Sequence, residues 1–298
     1  TGGVPRVLRT AVVMVSFFIL SGYGFKPVRT GESLKKQAKQ LLFPYFLVAA
    51  ACVGILVLKN IVRGRPAFFR IMPYLLGFIF APDRVNQFPF EIREISIAWF
   101  FLALFLSWNL LNLILNRIKE RRKQIGLMIL LAAGGMSLTM HSPWIWCIPQ
   151  TLLATPLLYI GYLMKQERFF RKKLSIWQLT VLGIVWGISV LFGEEEMALN
   201  IWRLGLLDYA GSVAGAVLLI KGYTCLELPE NRITEAVMSI GRYTYWIVCL
   251  HGIDMTAVKW ETYIRYAGIP FPCNILMHIV LDSLFIAAGC VILNFCGK

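Results

Sequence analysis

The sequence predicts an all-α polytopic integral membrane protein, a helical bundle of nine transmembrane helices plus one re-entrant or interfacial segment. Three observations predict it. Of 298 residues, 58% are hydrophobic and only 15% are charged, an apolar excess larger than one soluble core absorbs. Apolar runs approaching the ~20 residues that cross a bilayer recur along the whole chain. The segments between them alternate between strongly basic and non-basic, as the loops on the two faces of a membrane do.

The nine spans expected in order are 7–25, 40–58, 97–115, 125–140, 151–164, 176–192, 204–220, 243–258 and 275–295. Segment 68–80 is too short to cross and contains Arg70 and Pro73, which suits a re-entrant or interfacial element. No internal repeat and no low-complexity linker divides the chain, so residues 1–298 are expected to form a single integral domain.

The loops fix the orientation. Segment 26–39 carries Lys26, Arg29, Lys35, Lys36 and Lys39 against Glu32. Segment 116–124 carries Arg117, Lys119, Arg121, Arg122 and Lys123 against Glu120, and 165–173 carries five cations against Glu167. Between them, 141–150 has no Lys or Arg, and 193–203 has Glu194, Glu195 and Glu196. Basic loops face the cytoplasm. Only 59–97 departs, being basic yet assigned to the outer face. The expected topology has an odd number of spans, with Thr1 outside and Lys298 cytoplasmic. A chain that starts outside with neither signal peptide nor Met is expected to lack a preceding helix.

The net charge of +14 belongs to this topology, and no nucleic-acid partner is expected. The seven cysteines form no Cys-x-x-Cys pair and no metal-ligand spacing. Cys147 and Cys273 fall in expected outer loops, but disulfide geometry is demanding and no bridge between them is expected.

Several polar residues lie where only apolar ones are needed. In Phe17-Phe18-Ile19-Leu20-Ser21-Gly22-Tyr23, Ser21 and Gly22 stand at the end of a span. They form either a notch for a neighbouring helix or the wall of a polar cavity. Trp99-Phe100-Phe101 opens the third span, as an aromatic belt at the interface or as part of a site. His251 follows Arg242 by nine residues, about 13 Å along a helix at ~1.5 Å per residue. That depth is near mid-membrane, where an ionisable group is costly and points to function. Asp254, at i+3 on the same face, is placed to orient or charge the imidazole. The plain alternative is a neutral histidine bonded to a neighbouring helix, with Asp254 at the interface.

Taken together these stretches resemble the acyltransferase-3 family of integral membrane O-acyltransferases. Phe17 to Tyr23 is similar to its Phe-Phe-x-x-Ser-Gly-Tyr segment, and Lys35 to Tyr45 to its basic run ending in Pro-Tyr. Trp99 to Phe105 is similar to its Trp-Phe-Leu segment, Gly161-Tyr162 to the end of a middle helix, and Gly241 to His251 to its Gly-x-x-Ser...His segment. Each motif is short; their order extends over nearly the whole chain. Thr244 stands where the family has Ser, Val248 where it has an aromatic residue, and Lys where it often has Arg.

The resemblance implies transfer of an acyl group, acetyl in the first instance, from acyl-CoA to a hydroxyl of a surface saccharide or similar acceptor. The setting implied is a bacterial plasma membrane, with lipids as surroundings, acyl-CoA as donor substrate and no tightly bound cofactor or metal. It implies catalytic roles for His251 and Asp254. Substrate binding would fall to Ser21, Gly22, Tyr23, Trp99, Lys35, Lys36, Lys39, Arg121 and Arg122, the cations serving CoA phosphates. Positive-inside topology alone also accounts for these cations. Ser21-Gly22 and His251 are expected to line one polar cavity reached from the cytoplasm. The family's principal catalytic histidine lies on a helix before the present start and would supply the base, with His251 orienting substrate or donating to the oxyanion, so this chain alone is expected to turn over little or nothing. Two other classes fit the buried polar groups: a transporter or flippase for a lipid-linked saccharide, and a non-catalytic membrane module.

Overall fold

The computed structural model describes residues 12–82, 91–93, 99–138, 144–225, 231, 234–235, 238, 241, 244–270 and 273–296. Thr1, His141, Arg242, Tyr243 and Lys298, which enter the expected topology, lie outside these residues. The all-α class holds: among the described residues the only sheet is the two-residue pairing of β1 (Glu195–Glu196) with β2 (Ile201–Trp202). The chain forms two compact units. One comprises Thr1–Leu42 with Phe100–Glu227, the other Phe43–Trp99 with Leu228–Lys298.

The first unit contains α1 (Val12–Tyr23), α2 (Thr30–Gln37) and a π-helical turn, Ala38–Leu42. In the second, α3 (Phe43–Val62) and α4 (Met72–Phe80) follow. The helix α5 (Trp99–Arg117) starts at the unit boundary and returns to the first unit. There α6 (Arg121–Ser137), α7 (Ile148–Gln166), α8 (Ile176–Phe192) and α9 (Leu206–Cys225) complete it. The second unit ends with α10 (Thr244–Ile253), a π-helical turn Asp254–Val258, α11 (Trp260–Tyr266) and α12 (Cys273–Cys296).

In the first unit α7 is the buried centre. Its start is set by Pro149 in the first turn, where a missing N–H costs nothing. On α1, Gly22 is buried and an added Cβ would lie 2.0 Å from the Leu158 carbonyl oxygen. Gly161 on α7 is its counterpart, since a Cβ there would lie 1.9 Å from the Ile19 carbonyl oxygen. Small residues on both helices thus let two backbones touch, the packing that serves helices in a bilayer. Helix α8 begins with a capping box: Ser175 Oγ accepts from Gln178 N–H, while Gln178 Oε1 accepts from Ser175 N–H at 2.9 Å. The segment after α1 is pinned to α5. Asn112 donates to the Val28 carbonyl and accepts from the Val28 N–H, both at 3.0 Å. Phe25 is buried beside Trp108 and Tyr162.

Among the described residues three helical runs are long and apolar enough to cross a membrane, not nine: Thr30–Val62, Trp99–Arg117 and Cys273–Cys290. The difference has physical reasons. Helices α6 and α8 have 17 residues each, about 26 Å at ~1.5 Å per residue, against a hydrocarbon core of about 30 Å. Helices α7 and α9 have 19 and 20 residues but bury polar groups within the unit. These are Gln150, Thr151 and Thr155 on α7, and Asp208, Ser212 and Lys221 on α9. Their apolar runs are interrupted because they face protein. Segment 68–80, expected as re-entrant or interfacial, ends in the nine-residue α4.

In the second unit Lys59 caps the π-helical turn. Its Nζ donates to the carbonyls of Ala257 at 2.8 Å and Val258 at 2.9 Å, just before Lys259 turns into the left-handed region at φ 58°. Tyr45 Oη donates to the Phe78 carbonyl and so ties α3 to α4. Gly289 on α12 sits against the Leu250 side chain of α10. That close approach brings α12 onto the helix that carries His251.

Candidate active site on helices α10 and α12

Helix α10 delivers His251 two residues before its end. The helix then widens into the π-helical turn that begins at Asp254, a local irregularity that recurs at functional sites. From the other side α12 brings His278 and, one turn later, Asp282. His251 Nδ1 lies 3.0 Å from Asp282 Oδ2. Their side chains are 33% and 17% exposed, so the pair is partly shielded from solvent. A carboxylate acceptor places the proton on Nδ1 and leaves the Nε2 lone pair available.

Asp254 completes the cluster. It is 1% exposed, and ligand atoms of His251, Asp254 and Asp282 all lie within 4.8 Å of one another. Asp254 Oδ1 and Asp282 Oδ1 are buried and have no hydrogen-bond partner among the described residues. A cavity of about 420 Å³ opens on this cluster. His251, Asp254 and His278 line it together with two cations, Lys259 and Arg265; Met255 and Thr262 complete its wall. The arrangement can accept a proton at Nε2, stabilise the imidazolium that forms, and hold an anionic group beside it.

The carboxylate that bonds the imidazole is therefore Asp282, not Asp254 as the i+3 spacing suggests. The signal for Asp282 was present in the sequence: it and His278 are ionisable residues inside the apolar run 275–295, at i and i+4. Asp254 stands in the same cluster with its own Oδ1 unsatisfied.

The other expected site residues lie elsewhere. Ser21, Gly22 and Tyr23 end α1 in the first unit, whereas His251 and Asp254 are in the second. The open side of Gly22 is filled by the Leu158 backbone. Tyr23 packs on Phe170, with ring centroids 4.9 Å apart, and Lys165 lies over its ring. Trp99 is buried at the start of α5. Lys35, Lys36 and Lys39 are exposed. Arg121 and Arg122 are exposed at the start of α6, and Arg121 pairs with Glu167 at 3.1 Å. Arg121 and Lys172 hold the Glu167 carboxyl below its usual value.

No family model matches the chain, and comparisons with curated proteins and with solved structures likewise return no match.

Proposed function

We propose that the protein is a multi-pass membrane O-acyltransferase that moves an acyl group, acetyl in the first instance, from acyl-CoA to a hydroxyl of a surface saccharide or similar acceptor. The observation that carries this reading is His251 in the wall of a cavity, with its Nδ1 held by Asp282. An alcohol is a poor nucleophile at neutral pH and needs a positioned base. In the proposed step, His251 Nε2 takes the acceptor O–H proton as the oxygen attacks the thioester carbonyl. The C–S bond breaks, and the departing thiolate receives that proton from Nε2–H. Asp282 holds the ring and offsets the imidazolium charge. Lys259 and Arg265 receive an anionic part of the acceptor.

The nine-span topology in a bacterial plasma membrane, with a cytoplasmic C-terminus, belongs to the same proposal. Helix surfaces support it. On α8, Ile176, Trp177, Leu191 and Phe192 are each more than half exposed, an apolar surface suited to lipid. On that topology, segment 259–274 is extracytoplasmic, so the acceptor enters His251's cavity from outside.

The test is acyl-CoA turnover by the purified chain in lipid, followed by thiol release and by label transfer to saccharide acceptors. Turnover that disappears in His251→Ala, with the thermal transition retained, supports the reading. Turnover indifferent to His251 overturns it. The alternative of a transporter for a lipid-linked saccharide draws on one separate feature. Ser189 Oγ lies within bonding distance of two buried carboxylates, Glu195 and Asp208, and buried acids can carry coupling protons. Saccharide movement across vesicles without acyl-CoA would favour it.

A further inference from the structure

We infer that His251, Asp254 and Asp282 form a binding site for a divalent transition-metal ion of the zinc class, and that occupation of this site disables His251 as a base. The metal assignment stands on the cluster's geometry alone; its consequence for turnover rests on the acyl-transfer reading.

Three observations carry the assignment. The ligand atoms of the three side chains lie within 4.8 Å of one another, contributed by α10, the π-helical turn and α12. The His251 Nδ1 to Asp282 Oδ2 separation is 3.0 Å. Two ligands on a metal with bonds of about 2.1 Å are separated by roughly 3.0 to 3.4 Å, from right-angled to tetrahedral geometry, so this edge lies at the short end of that range. Asp254 is 1% exposed and its Oδ1 has no partner among the described residues, as is true of Asp282 Oδ1. Buried carboxylate oxygens left without a donor are costly. A cation placed among these carboxylates offsets that cost.

The donor set selects the metal. One imidazole and two carboxylates suit zinc, manganese or ferrous iron better than ions that prefer all-oxygen or thiolate ligands. The adjoining cavity leaves coordination positions open to water or a ligand. Lys259 and Arg265 line that cavity as well; they disfavour a highly charged cation occupying its outer part, so the ion belongs at its carboxylate end.

Coordination and base catalysis exclude one another at His251. When Asp282 accepts from Nδ1–H, the lone pair is on Nε2. When Nδ1 binds metal the ring's single proton is carried on Nε2 instead, and the ring can only donate there. The ion therefore acts as an inhibitor of the proposed reaction.

The experiment uses Co²⁺ as a spectroscopic probe for zinc on the full chain, purified in detergent and stripped with a chelator. One Co²⁺ per chain with visible d–d bands is expected, displaced by Zn²⁺. Asp254→Asn, Asp282→Asn and His251→Gln should each weaken binding at least about tenfold while the far-ultraviolet circular dichroism stays helical. Substoichiometric binding, or affinity unchanged in all three variants, overturns the site. Should a variant fail to fold, X-ray absorption on the metal-loaded parent chain decides. One imidazole with oxygen ligands supports the site; sulfur or several imidazoles overturns it. Zn²⁺ should also abolish His251-dependent turnover at the occupancy measured by Co²⁺ displacement. Full turnover by the zinc-loaded chain overturns the switch, whereas metal-free turnover indifferent to His251 overturns the acyl-transfer reading and leaves the metal site to the binding data.

Discussion

His251 Nδ1 and Asp282 Oδ2, 31 residues apart in the chain, meet at 3.0 Å. The contact fixes a tautomer as well as an orientation, because a carboxylate accepts but cannot donate. An asparagine at 282 can present either its oxygen or its amide to the ring, so the preference for a basic Nε2 is lost. If His251 is the base, Asp282→Asn should lower acyl transfer by about 10²- to 10⁴-fold. Asp254→Asn, which removes no bond to the ring, should lower it less. Thiol release measured for both variants checks this. Equal losses in the two would assign no special role to the pair.

Helix positions could be read from the sequence, and His251 stood out in it, because apolar run length and a lone ionisable residue are local signals. Asp282 carried the same signal in a neighbouring run, but run length dominates a segment of that apolarity and masks a single acid within it. The π-helical turn could not be foreseen. It begins at Asp254 itself, and the residue types in Asp-Met-Thr-Ala-Val carry no rule for an extra residue per turn. Gly22 was legible as a position needing close approach, but sequence could not distinguish a ligand from a helix. The Leu158 backbone occupies that space.

The Gly22 and Gly161 contact predicts coupled costs. Alanine at either position places a methyl group against a carbonyl oxygen that belongs to the partner helix. Moving the helices apart is the only relief, and overpacking of this kind costs about 1–3 kcal/mol or more. Once α1 and α7 have separated, the second methyl adds little. The double variant should therefore cost less than the sum of the singles, measured by denaturant titration in detergent. Strict additivity would mean the two contacts are independent.

The proposed topology places segment 26–39 in the cytoplasm, and the structure dictates where to probe it. Ser33 is 1% exposed and its Oγ donates to Asn109 Oδ1 at 3.1 Å, so a cysteine there would be shielded from reagent on either face. Lys36, three residues on, is exposed. In a background cleared of native thiols, Lys36→Cys should resist a membrane-impermeant maleimide in intact cells and react after permeabilisation. Reaction in intact cells would invert the orientation.

Glu167 provides a test by pH. Its carboxyl is held below its ordinary value of 4.5, first by the hydrogen bond from Arg121 and then by that from Lys172. Arg121 is among the cations expected to receive CoA phosphates, yet it already contacts this carboxylate at 3.1 Å. A depressed folded value means that the contribution to stability is complete above pH 4.5. It is lost as pH falls through the lower value of the folded state. The pair is solvent-exposed, so added salt should shrink the effect. Carboxyl-resolved NMR of the labelled chain should show Glu167 titrating below 4.5, and Arg121→Gln should move the midpoint up toward it. If acyl-CoA also draws Arg121 away, ligand addition should produce the same upward movement in the unmodified chain. A midpoint that responds to Arg121→Gln but not to acyl-CoA would assign Arg121 to this ion pair and leave the CoA phosphates to other cations.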